Sequence, residues 1–167
     1  GNLLSSALAH INHPTFDVPG TDRGNMGCAS WVSIVFYRAF GVHMKDGSKV
    51  VDKPTSVSQF GSIGTIELGA WFKKNPNMWE QINWKDGQPG DIINTERASR
   101  AGHIGIVLNE RHSNGSWKIA SNSSKGFGSS KDPAGCGKKN YDIIGWQSVT
   151  NRNPSGTFCW RYKGPKA

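Results

Sequence analysis

Gly102-His103-Ile104-Gly105-Ile106-Val107-Leu108 is the stretch on which the fold turns. Strand alternation places Ile104, Ile106 and Leu108 on one face and His103, Gly105 and Val107 on the other. Upstream, Gln88-Pro89-Gly90-Asp91-Ile92-Ile93 reads as a turn that leads into another strand. Downstream, Asn114-Gly115 is a hairpin signal. From Trp79 onward the apolar residues come in short runs separated by turn residues. The expected strands are Asp91–Asn94, His103–Asn109, Trp117–Ser121, Asp142–Val149 and Thr157–Tyr162.

The first half of the chain reads differently. Leu3, Leu4, Ala7, Leu8 and Ile11 recur at helical spacing, and the pattern stops before Pro14. Thr15–Gly27 carries Gly, Pro and Asp and reads as a loop. Trp31, Val32, Val35, Phe36, Ala39 and Phe40 define an amphipathic helix over Cys28–Phe40, with Gly41 where a C-cap belongs. A weaker helix is expected over Thr65–Lys74, ending before Pro76. Helices first and antiparallel strands afterwards predict an α+β fold in which N-terminal helices pack on an antiparallel β-sheet. With 167 residues and no internal repeat, the chain is expected to form a single domain over 1–167.

Composition narrows the class. Gly (21) and Pro (8) are frequent without a period, which excludes collagen. No apolar stretch reaches the ~18 residues of a membrane span, since Trp31–Phe40 is interrupted by Ser33 and Arg38. No charged start followed by an apolar run marks a signal peptide. The formal charge of +8 suits a polyanionic partner such as nucleic acid, lipid headgroups or an anionic cell-wall polymer. No Arg-rich helix, zinc-finger spacing or aromatic RNA-binding signature accompanies it. The lysines are spread out, with a modest cluster at Lys125, Lys131, Lys138 and Lys139.

The odd cysteine count, 3, leaves a thiol to be explained. In Gly27-Cys28-Ala29-Ser30-Trp31-Val32 a cysteine stands where a loop enters a helix. The positive end of the helix dipole favours a thiolate there, and a thiolate is a nucleophile. The structural alternative is an inert core thiol. A nucleophilic cysteine needs a base, which His103 supplies if the two meet, and the pair can rest as thiolate and imidazolium. Ile119-Ala120-Ser121-Asn122-Ser123-Ser124 ends the strand after the hairpin. There Asn122 is placed to fix the imidazole tautomer, with Ser121 or Ser123 as substitutes.

Taken in order, Gly27 to Val32, Pro89-Gly90-Asp91-Ile92 with Gly102 to Val107, and Ile119 to Asn122 resemble the CHAP domain (cysteine, histidine-dependent amidohydrolase/peptidase). That domain belongs to the papain-like superfamily, as do the NlpC-type peptidoglycan peptidases. The resemblance spans about Thr21 to Ser124. It implies a papain-like fold and cleavage of an amide bond in the peptide part of bacterial peptidoglycan, with no metal or cofactor in the chemical step. Cys28 would be the nucleophile, His103 the base and Asn122 the orienting group. The Cys28 N–H and Asn25 would hold the oxyanion. Trp31, Trp71, Trp79 or Trp146 would line a substrate groove, although tryptophans equally build cores.

The sequence departs from the family at Ala120, where many members carry an acid. Asp17 and Asp22 do not reproduce the spacing of calcium-binding members. The pair His10 and His13 lacks zinc-site spacing, so a zinc amidase is a weak alternative. Cys136 and Cys159 are open to either a disulfide or separate thiols.

The expected partner is peptidoglycan, met outside the cytoplasm by a monomer, with an immunity or inhibitor protein added if the chain is an antibacterial effector rather than a phage lysin. Nucleic acid and a membrane span are not expected. A papain-fold acyltransferase is the alternative within the fold. A non-catalytic basic module for wall polymer or nucleic acid is the alternative outside it.

Overall fold

A computed structural model of the chain describes residues 2–11, 28–41, 44, 64–121 and 138–164. It is α+β. Helices α1 (Leu3–Ala9), α2 (Cys28–Phe40) and α3 (Thr65–Lys74) precede the strands β1 (Trp79–Asn83), β2 (Ile92–Thr95), β3 (His103–Arg111) and β4 (Trp117–Ser121). Strand β5 (Lys138–Asp142), the short helix α4 (Gln147–Thr150) and β6 (Thr157–Tyr162) complete the order. All strand pairs are antiparallel, and the sheet runs β1-β6-β2-β3-β4-β5. Among the described residues no helix is long and apolar enough to cross a membrane.

Local chemistry starts and stops the helices where tertiary packing needs them. Asn2 caps α1 by accepting the Ser5 N–H at 2.9 Å, while Ser5 Oγ accepts the Asn2 N–H at 3.2 Å. The Ser6 hydroxyl then ties α1 to α2 by donating to the Val35 carbonyl at 2.8 Å. Helix α2 ends at Gly41, whose φ of 73° lies in the left-handed region that a side chain would strain. Glu67 in the first turn of α3 and Lys73 and Lys74 in its last complement the helix dipole.

Strand β3 is apolar on both sides because the sheet is covered on both. Ile104, Ile106 and Leu108 join Val32, Val35 and Phe36 of α2 in the larger core. On that face Phe72, Trp79 and Tyr162 extend the packing, with Phe72 and Trp79 ring centroids 4.4 Å apart. Each such aromatic pair contributes ~0.5–1.5 kcal/mol beyond its buried area. Val107 points the other way, into a second core with Ile93, Ile119, Ile143, Trp146, Val149 and Cys159.

The two glycines of the quoted stretch are explained by close approach. A Cβ on Gly105 would stand 2.7 Å from the Ile119 methyl and 2.8 Å from the Ala120 carbonyl oxygen. On Gly102 it would meet the Thr95 carbonyl oxygen at 2.2 Å. Asp91 has a structural task. Its buried carboxylate accepts from Nε and Nη2 of Arg161, both at 2.9 Å, and from the Gln88 N–H at 2.8 Å, fixing the turn at Pro89-Gly90 against β6.

Two expectations need correcting. The run Asp142–Val149 is not a strand. Strand β5 ends at Asp142, whose side chain accepts the Gly145 N–H, and the chain turns into α4. Ile143, Trp146 and Val149 are buried while Ile144 is 55 % exposed, so the apolar run follows a helical rather than an alternating rhythm. Strand β1 was not among the expected strands. Its exposure shows why: only Trp79 of its residues is fully buried.

Candidate functional site

Cys28 is the first residue of α2 and is half-buried. Its sulfur accepts hydrogen bonds from the backbone N–H groups of Ile104, Ala29 and Cys28 itself. The Ile104 contact is the informative one. That N–H belongs to the peptide joining His103 to Ile104, so the thiol lies against the first residues of β3, 75 positions along the chain from its own.

His103 opens β3 opposite Thr95. Its ring projects from the face that carries Val107 and is 8 % exposed. It stacks on the Trp146 indole, with centroids 5.1 Å apart and planes within 14°, and Tyr141 tilts against it at 5.7 Å. Trp146 is itself held: Nε1 donates to Thr95 Oγ1 at 3.1 Å, and a 2.9 Å hydrogen bond links the Thr95 and Thr157 hydroxyls. The sulfur and the imidazole therefore meet one short length of backbone, the sulfur from the α2 side and the ring from the Trp146 side.

Burial governs the charge of both groups. It raises the Cys28 thiol above its ordinary value of 9.0, against the opposing pull of the three N–H groups. It lowers the His103 imidazole from 6.5 to about 4, helped by the positive charge of Arg152. Near neutral pH the resting forms are a thiol and a neutral imidazole, in place of the thiolate–imidazolium pair expected from the sequence. Desolvation outweighs the start of the helix here because the sulfur faces packed backbone rather than water.

Asn122 and Asn25 lie outside the described residues, as do Asp17, Asp22, His13 and Cys136. Trp31 is 1 % exposed within the larger core, so it presents no surface to a groove, and Trp79 and Trp146 are buried likewise. Cys159 is a free, fully buried thiol within the second core. The ring nitrogens of His10 are both engaged, Nδ1 with the Ser6 carbonyl at 2.6 Å and Nε2 with Arg38 at 2.9 Å, a poor starting point for a zinc ligand.

Sequence reasoning missed the residues that surround His103. Trp146 was considered as groove lining or core, and Tyr141, Thr95 and Arg152 not at all. Arg152 reaches the same place by donating from Nη1 to the Ala101 carbonyl at 3.1 Å, and its Nε is buried without a hydrogen-bond partner among the described residues. Thr95 was legible from register, since an antiparallel partner of β3 must face His103; Trp146 lies in the run that was read as a strand, Tyr141 precedes that run in β5 and Arg152 follows it after α4. Comparison with protein-family models, with curated proteins and with solved structures gives no match for this chain.

Proposed function

We propose that the chain is a papain-like, CHAP-type cysteine hydrolase that cleaves an amide bond in the peptide part of bacterial peptidoglycan, as an amidase or endopeptidase. One observation carries the reading: the sulfur at the start of α2 receives the N–H of Ile104, the residue joined to His103. The sequence resemblance supplies the substrate class, and the charge of +8 suits docking on anionic wall material.

In this reading the His103 ring, neutral at rest, turns from Trp146 toward the sulfur and takes the Cys28 proton as the sulfur attacks the amide carbonyl carbon. The resulting oxyanion is met by backbone N–H groups at the start of α2, with Asn25 as the further donor. The C–N bond breaks as His103 returns the proton to the leaving amine, which leaves a thioester on Cys28. Water, deprotonated by His103, attacks the thioester and releases the carboxylic acid and the free thiol. Asn122 orients the imidazole.

Purified peptidoglycan should lose turbidity when the protein is added. Cys28→Ala and His103→Ala should each abolish the loss, and EDTA should leave it intact. Survival of the activity in Cys28→Ala with loss in EDTA would favour a zinc enzyme. Binding without lysis, weakening steeply with salt, would favour a basic binding module.

A further inference from the structure

We propose that the concave surface at the Arg111 end of β3 is a binding cleft for a saccharide that carries a negative charge. It is separate from Cys28 and His103, and it stands whether or not the hydrolase reading does. From His103 to Arg111 the strand spans eight steps, ~26 Å at ~3.3 Å per residue, so the two places lie at opposite ends of β3.

The cleft has a volume of about 580 Å³, enough for one or two sugar rings. Trp84 and Trp117, both half-buried, contribute indoles to its wall, and the buried Ile143 contributes an apolar side. The C–H faces of a pyranose pack on such rings, while its hydroxyls need groups that both donate and accept. The exposed side-chain amides of Gln88 and Gln147 on the lining are of that kind.

Charge selects among sugars. Among the described residues the lining contains Lys85 and Arg111 and no carboxylate. The guanidinium of Arg111 sits 3.8 Å above the Trp117 ring, and Nη1 donates to the Gly115 carbonyl at 2.6 Å, so the group is held in place with further N–H donors to offer. Lys85 lies 5.6 Å over the Trp84 ring and has no ion pair among the described residues. Four cations elsewhere are taken up in ion pairs: Lys118 and Lys139 both hold Glu110, Lys73 holds Glu96, and Arg161 holds Asp91. The buried acid next to the lining residue Ile143, Asp142, is 8 % exposed and accepts from Asn114, Ser116 and Gly145, with His112 Nδ1 3.5 Å away.

A nucleic acid is the less suited ligand. It needs a track of cations spaced to its phosphates, whereas this cleft is a single hollow with two.

The test uses the indole N–H signals of the full chain in NMR, with Trp84→Phe and Trp117→Phe to assign them. N-acetylmuramic acid and N-acetylglucosamine share a ring and differ in the lactyl carboxylate. The muramic acid should shift both signals saturably in the millimolar range, about three- to fivefold more tightly than the glucosamine, as an exposed ion pair allows. Arg111→Gln should bring the two sugars level, and added salt should do the same. The proposal is overturned if neither sugar moves the two signals, if the sugars bind equally to the unmodified chain, or if a short oligothymidylate binds more tightly than both.

Discussion

His103 gives the sharpest test of the electrostatics. Its imidazole titrates at about 4 in the folded chain against an ordinary 6.5, because the ring is buried against Trp146 and faces the charge of Arg152. The folded state therefore binds this proton less tightly than the unfolded state does. The resulting stability is fully present above pH ~6.5 and is lost as the pH falls from there to about 4, below which the loss levels off. With ~1.4 kcal/mol per pKa unit, the whole window holds about 3 kcal/mol, and the part between pH ~7 and ~4.5 about 2 kcal/mol. NMR titration of the His103 Cε1–H should give the low value directly. Urea unfolding at the two pH values should show that His103→Gln, whatever its stability at neutral pH, loses about 2 kcal/mol less on acidification than the unmodified chain. Arg152→Gln should raise the His103 value only part of the way to 6.5, since burial is the larger cause. Titration of the folded ring between 6 and 7, or equal acid losses in chain and variant, would refute the reasoning.

Other consequences are open to single measurements. Iodoacetamide should label Cys28 in the native chain at a rate that climbs through alkaline pH, because burial raises its thiol; a rate already at plateau near pH ~6 would mean a resting thiolate. Cys159, fully buried with its thiol also pushed up, should resist labelling until the chain unfolds, as peptide mass spectrometry would show. Asp91→Asn should destabilise by about 1–3 kcal/mol in urea, since it removes the bidentate bond to Arg161, a partner 40 % exposed whose charge water partly screens. Gly105→Ala should cost ~1–3 kcal/mol by forcing β3 from β4. Gly115→Ala, with open space around it but φ at 85°, should cost ~1–2 kcal/mol from backbone strain alone.

Much of the fold was legible from periodicity. Helices Cys28–Phe40 and Thr65–Lys74 and strands Trp117–Ser121 and Thr157–Tyr162 have the predicted bounds, because each buries a face whose repeat is written in its own residues. The division of Ile104, Ile106 and Leu108 from His103, Gly105 and Val107 was legible for the same reason. Asp142–Val149 was misread because Ile143, Ile144, Trp146 and Val149 fit a strand in composition. Their different depths of burial exist only once Trp146 has a pocket to fill.

The candidate site divides along the same line. By itself the sequence determined that Cys28 would begin a helix and His103 a strand, since both depend on neighbours a few residues away. Tertiary structure alone decided that the Cys28 sulfur lies at the Ile104 N–H, that Trp146 and Arg152 flank His103, and that the thiol and the imidazole rest uncharged. Proximity and desolvation belong to the space that distant segments enclose together, and no local pattern of residues encodes how deeply that space excludes water.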